Sequence, residues 1–190
     1  MRNLLFLFAT ILTMFGFINC TGKSSSQSKN DILDTVAVSS EKLVEEESDT
    51  DPWSYSEDTD KMTDTKTYFA ANTSPDHLSF DFPYNEGANV ETLILRKRRN
   101  STDVIIQITQ GQFQSGIYGG AVLTRFDDDK PQKYSYSTSS DGTSTVIFIN
   151  QVEKFINRLK TSKKLLIEAE FYQEGNVQVS YDTEGLKWEH

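Results

Sequence analysis

The chain has one cysteine, two histidines and four prolines in 190 residues, and each scarcity closes a route. A lone cysteine forms no internal disulfide. With so few Cys and His side chains there is also no tetrahedral ligand set for zinc. A Ser-His-Asp arrangement would have to be built on His77, since His190 is terminal, and no Gly-x-Ser-x-Gly elbow is present to carry the nucleophile. Cations are short as well: 19 Lys and Arg stand against 28 Asp and Glu, a formal net charge of −9. Such a chain gains little from counterion release, so nucleic acid is not an expected partner. Glycines gather at Gly111, Gly116, Gly119 and Gly120 but fit neither phosphate-binding fingerprint, and no helix follows them. That stretch reads as a flexible turn, and no cofactor or metal is expected.

Long apolar runs are missing too. The most apolar segment, Leu4 to Phe17, follows Arg2 and is shorter than the ~18–20 residues that span a bilayer. It reads as a signal peptide over residues 1–19. Cys20 follows directly, in Phe17-Ile18-Asn19-Cys20. Residues 20–51 then hold Ser24-Ser25-Ser26, scattered lysines and Glu45-Glu46-Glu47, with apolar residues that sustain no period. Such a segment buries too little to offset its ordering entropy and reads as a disordered tether. Its flexible reach is about 30 Å.

Residues 52–190 read as one β-rich domain. Trp53 opens it, and the acidic stretch Glu57, Asp58, Asp60, Asp64 reads as a solvated loop, because Met62 and a missing glycine break the calcium-loop spacing. Lys66 to Ala71 is a strand. Leu78, Phe80, Phe82 and Tyr84 alternate with polar residues and predict a half-buried edge strand ending near Pro83. Thr92 to Arg98 and Asp103 to Gln110 predict a hairpin. Ile105 beside Val104, Ile106 and Ile108 makes its second strand apolar on both faces, hence central. The basic cluster Arg96-Lys97-Arg98-Arg99 suits either an anion site or a hairpin end whose charges deter edge pairing, and alternation splits it between faces. Ala121 to Phe126 and Gln132 to Thr138 pair across an acidic turn, and Asp141-Gly142 predicts a tight hairpin into Val146 to Ile149. Asn150 and Glu153 have capping-box spacing. Val152, Phe155, Ile156 and Leu159 then fall on one helical face. Two more strands close the chain, with Trp53 and Trp188 expected to cap the core. The predicted fold is mostly β (α+β): an antiparallel, sandwich-like sheet with one packed amphipathic helix near residues 151–162.

Two resemblances add to this reading. Phe17-Ile18-Asn19-Cys20 resembles the lipobox of bacterial lipoproteins, with Asn19 where a small residue is usual. It implies that Cys20 is acylated and becomes the first mature residue, held to a membrane by several acyl chains. Thr21 is not the aspartate of inner-membrane retention, which implies the outer membrane in a Gram-negative host. Further on come Trp53, Met62-Thr63-Asp64, Leu93-x-Leu95-Arg96, Arg125-x-Asp127-Asp128 before Pro131, and Gly185-Leu186-x-Trp188. This order resembles a broad group of uncharacterised bacterial envelope lipoproteins and, more distantly, is similar to the type VI secretion-associated periplasmic accessory family. Many members carry a cysteine pair; Ser115 and Tyr118 lie in that neighbourhood here, so any such disulfide is lost. The resemblance implies an extracytoplasmic domain that works through contacts and transfers no catalytic residue. Arg125 and Asp127 are the candidate contact residues, with a mutual salt bridge across the hairpin as the competing reading. The expected function is a membrane-tethered, non-catalytic binding or accessory module of the bacterial envelope. Its partners would be the membrane, through the N-terminal lipid, and an envelope protein or glycan. The alternative is a hydrolase acting on cell-wall or glycan substrate, which requires placed carboxylates of raised pKa in a cleft.

Overall fold

A computed structural model describes residues 51–190; the signal segment, Cys20 and nearly all of the tether lie outside the described residues. In chain order the elements are β1 (Ser54–Asp60), β2 (Thr65–His77), β3 (Val90–Arg98), β4 (Ser101–Ile108), β5 (Gly120–Phe126), β6 (Gln132–Thr138), β7 (Val146–Ile149), α1 (Val152–Leu159), β8 (Lys164–Phe171) and β9 (Gly175–Asp182). All strands belong to one sheet, ordered β1-β2-β3-β4-β7-β6-β5-β8-β9, and every pairing is antiparallel. The domain is mostly antiparallel β with a single short helix.

Alternation builds the core. Glu91, Leu93 and Leu95 of β3, Val122, Thr124 and Phe126 of β5, and Leu165, Ile167, Ala169 and Phe171 of β8 are buried, with the residues between them facing outward. β4 lies between β3 and β7 and buries Ile105 as well as its inward residues, as a two-faced apolar strand should. The sheet curls until β9 reaches the second half of β2, which β1 leaves uncovered. Closure there uses side chains in place of a ladder: Asn72 Nδ2 donates to the Asp182 carbonyl (2.5 Å) and Ser74 Oγ to the Ser180 carbonyl (2.8 Å). Ser180 N–H in turn donates to Asp76 Oδ2 (2.7 Å). Trp53 and Trp188 are each 4 % exposed and close the core.

Helix α1 lies on the inner face of the sheet against β4, β5 and β6. Phe155 meets the Phe126 and Tyr134 rings edge-on at 5.4 and 5.2 Å, and Ile156 and Leu159 are buried beside it. Burying these three contributes roughly 5–9 kcal/mol as an upper bound. The helix matches its apolar period, Val152 to Leu159, and is shorter at both ends than the expected 151–162. Asn150 does not cap it, because its side chain bridges Ser137 and Ser135 of β6 (2.5 and 3.2 Å). At the far end the Thr161 and Ser162 hydroxyls take the Arg158 carbonyl (3.0 and 2.8 Å), stopping the helix at Leu159.

Three further expectations are corrected. Of the acidic stretch after Trp53, Glu57, Asp58 and Asp60 lie in strand β1, paired residue for residue with β2, and Asp64 in the turn that follows; β1 is exposed almost throughout, so no apolar period marked it. Residues 78–84 form no strand. Leu78 and Phe80 are buried as the alternation predicted, but Phe82 is 83 % exposed, and the segment has single bonds in place of a ladder: Leu78 N–H donates to the Asn89 carbonyl and Asp81 N–H to Glu174 Oε1 (both 2.8 Å). Asp141-Gly142 sits within a longer loop, residues 139–145, in place of a two-residue hairpin.

Candidate binding site

Because neighbouring strands run antiparallel, the β2–β3, β4–β5, β6–β7 and β8–β9 connections emerge at one end of the sheet. These loops, residues 78–89, 109–119, 139–145 and 172–174, contain no lysine or arginine. Their side chains are Ser, Thr, Gln, Asn and Tyr with a few acids, and they carry the most exposed apolar groups of this end: Phe82 at 83 %, Ile117 at 93 % and Tyr118 at 98 %.

The glycine-bearing loop is pinned where the sequence suggested a free turn. Phe113 bridges to Phe171, and their rings stack at 4.9 Å. Gln114 N–H donates to the Glu170 carbonyl (2.8 Å), and Tyr172 N–H to the Gln112 carbonyl (2.9 Å). Tyr136 Oη donates to the Gln114 carbonyl (3.0 Å), while Gly116 and Gly119 exchange backbone bonds at 3.0 Å. Two of the glycines are required by close approach. A Cβ on Gly119, whose φ is +94°, would run into the Tyr136 backbone, and one on Gly120 into the Tyr136 ring and hydroxyl. The result is a short corner on which Ile117 and Tyr118 are held outward. Beneath it lies a hollow of about 480 Å³ bordered by the Gln112–Ile117 stretch, the 139–145 loop and Tyr172. The signal for this corner is present in Gly116-Ile117-Tyr118-Gly119, where an apolar pair sits between glycines, but only the chain passing Tyr136 explains it.

The residues picked from sequence fall elsewhere. Arg125 and Asp127 border one hollow of about 690 Å³ with Lys163, Lys164 and Ser180. No ion pair joins them. Asp127 Oδ1 instead accepts the Lys163 and Lys164 backbone N–H groups, both at 2.9 Å, which fastens the β5–β6 turn to the start of β8. Those two bonds hold its carboxyl below the usual carboxylate range. The ion pair of this turn is Arg158–Asp129, with the Arg158 guanidinium over the Phe126 ring at 5.6 Å. Arg125 is exposed on the outer face opposite Leu166. Cys20 lies outside the described residues. The basic cluster is largely engaged locally: Arg96 with Asp103 (2.8 Å), Arg98 with Asp60 (3.7 Å) and Arg99 with Thr65 (3.4 Å).

One further group has chemistry the sequence reading passed over. Glu91 is fully buried on the inner face, where it accepts a hydrogen bond from Tyr181 Oη (2.8 Å), and its Oε2 has no partner. Desolvation pushes its carboxyl up to about 7 against the opposing Tyr181 bond, and raises the Tyr181 hydroxyl well above its ordinary value. Among the described residues it is the one carboxyl shifted upward, and it is sealed from solvent. His77 is exposed at the end of β2. Among the described residues no three His, Cys, Asp or Glu side chains gather as a metal centre would need. No protein-family model, curated protein or solved structure matches the chain.

Proposed function

We propose that this protein is a lipid-anchored, non-catalytic binding module of the bacterial cell envelope. The anchor follows from the signal-like segment and lipobox-like Cys20; the binding role is carried by the loop end. Phe82, Ile117 and Tyr118 stand out of it almost fully exposed, and the loop that bears the last two is braced against Tyr136 and Phe171. A braced loop loses little backbone freedom on association, so that cost is lowered when its exposed apolar side chains are buried by a partner. The Ser, Gly, Gln and Tyr of these loops are residue types that serve recognition surfaces on a β scaffold.

Two measurements on cells producing the chain test the proposal. Metabolic labelling with an alkynyl fatty acid should mark the wild type and not Cys20→Ser, with the label in the membrane fraction. A photo-crosslinking residue at position 118 should yield a discrete adduct that the same residue at position 61, at the opposite end, does not. Unlabelled cytosolic protein with Met1 intact overturns the anchor, and the same adducts from both positions overturn the binding end.

A further inference from the structure

The geometry points to a site for a neutral oligosaccharide in the hollow beneath the Ile117–Tyr118 corner, an inference that rests on the binding-module reading and specifies its ligand. A quarter of the chain's residues are charged, yet none of the residues bordering this hollow is Asp, Glu, Lys, Arg or His. At about 480 Å³ it falls within the ~300–1,000 Å³ range of small-molecule sites. A charged ligand would leave water there and meet no opposite charge. A wholly apolar ligand would strand amide and hydroxyl groups without partners.

What remains is a ligand that is uncharged, rich in paired donors and acceptors, and apolar on its flat faces. A pyranose ring has those properties. Its C–H faces stack on aromatic rings, and its hydroxyls both donate and accept, as do the groups offered here. Tyr172, half exposed, supplies a ring. The side chains of Gln114, Thr138 and Ser144 border the hollow and make no hydrogen bond among the described residues. An extended peptide is the weaker fit, because it is held mainly through free backbone groups. Here the bordering backbone is already paired, Phe113 N–H with the Ser144 carbonyl (2.9 Å), Gln114 N–H with Glu170 and Tyr172 N–H with Gln112.

The test uses the full chain in detergent on a printed array of neutral and anionic oligosaccharides, followed by calorimetric titration of the strongest neutral hit. Binding to neutral glycans is expected, weakened at least tenfold by Tyr172→Ala, retained by Tyr172→Phe, and weakened by Gln114→Ala with no change in melting temperature. Binding confined to anionic glycans, binding insensitive to both positions, or no neutral glycan bound more tightly than ~1 mM overturns the assignment. An empty array beside a specific position-118 crosslink to a protein would end the oligosaccharide inference and leave the binding module standing. A neutral glycan bound through Tyr172 by a chain that is never acylated would do the reverse to the anchor.

Discussion

Replacing Glu91 by glutamine should make the protein more stable above neutral pH and remove a slope from its pH profile. The carboxyl is fully buried, and its pKa stands near 7 in the folded chain against 4.5 for the free group. Between those two values the unfolded chain releases a proton that the folded chain keeps, so folding stability falls as pH rises through this window. Below pH ~4.5 both states are protonated and the group contributes no slope. Above pH ~7 both are ionised and the loss is complete, about 3 kcal/mol at 1.36 kcal/mol per unit. Tyr181 stays protonated throughout, since its own pKa moves further upward. Glutamine keeps an acceptor for Tyr181 Oη and is never charged. Its NH₂ group occupies the place of Oε2, which already lacks a partner, so the two neutral forms make similar demands on the core. Urea unfolding at pH 5 and pH 8 is the assay, with m-values compared to exclude a change in denatured-state compactness. Wild type should lose roughly 2–3 kcal/mol between the two and Glu91→Gln much less. A flat wild-type profile, or an equal loss in the variant, would refute the reasoning.

The acid side of the profile belongs to other carboxylates, of opposite sign. Asp127 accepts two backbone N–H groups and its pKa is lowered, so its contribution is present above its ordinary pKa near 3.8 and fades as pH falls through the depressed value. Asp127→Ala should lower Tm at pH 7 and flatten the profile below pH 4, and a variant with unchanged Tm would show the turn is held otherwise. Phe155→Ala empties the space between Phe126 and Tyr134 and should cost about 3–5 kcal/mol in chemical denaturation. Gly120→Ala should destabilise by about 1–3 kcal/mol, and Tyr136→Phe in the same chain should recover part of that, because the hydroxyl is the nearest obstacle. Phe82→Ser with Ile117→Ser should leave unfolding within about 0.5 kcal/mol of wild type while abolishing the adduct formed from the crosslinking residue at position 118.

Legibility in the sequence followed one rule: a segment could be read when its burial was one-sided and regular. β3, β5 and β8 alternate buried and exposed positions, and α1 repeats its apolar face at helical spacing, so each could be placed from residues alone. β1 is exposed on nearly every residue, and what makes it a strand is its ladder to β2, a long-range fact that leaves no local mark. Residues 78–84 show the converse. Alternation there reports which side chains reach the core, and Leu78 and Phe80 do, without saying whether the backbone has a neighbour to pair with. The capping signal at Asn150 lost to tertiary competition, since Ser135 and Ser137 sit close enough to claim the same side chain.

The same distinction governs the sites. Arg125 and Asp127 are contact candidates only as the charged residues of the Arg125-x-Asp127-Asp128 motif in the resemblance, and a carboxylate in a turn is as readily consumed by the backbone, as the Lys163 and Lys164 N–H groups consume Asp127. Glu91 could have been noticed: it occupies the inward phase of Glu91-x-Leu93-x-Leu95, where an acid is out of place and must either be neutral or be paired. The loop end is different in kind. Its four segments are distant in sequence and individually unremarkable, and what joins them is sheet order alone. Only with that order known does their shared lack of cations become a property of a surface, and only the packing of Gly119 and Gly120 on Tyr136 turns a glycine-rich loop into a fixed one. A surface that lacks cations, is braced from beneath and is partly apolar is selective for partners that match its shape and hydrogen bonding. That physical character carries the binding reading, independently of any single residue in it.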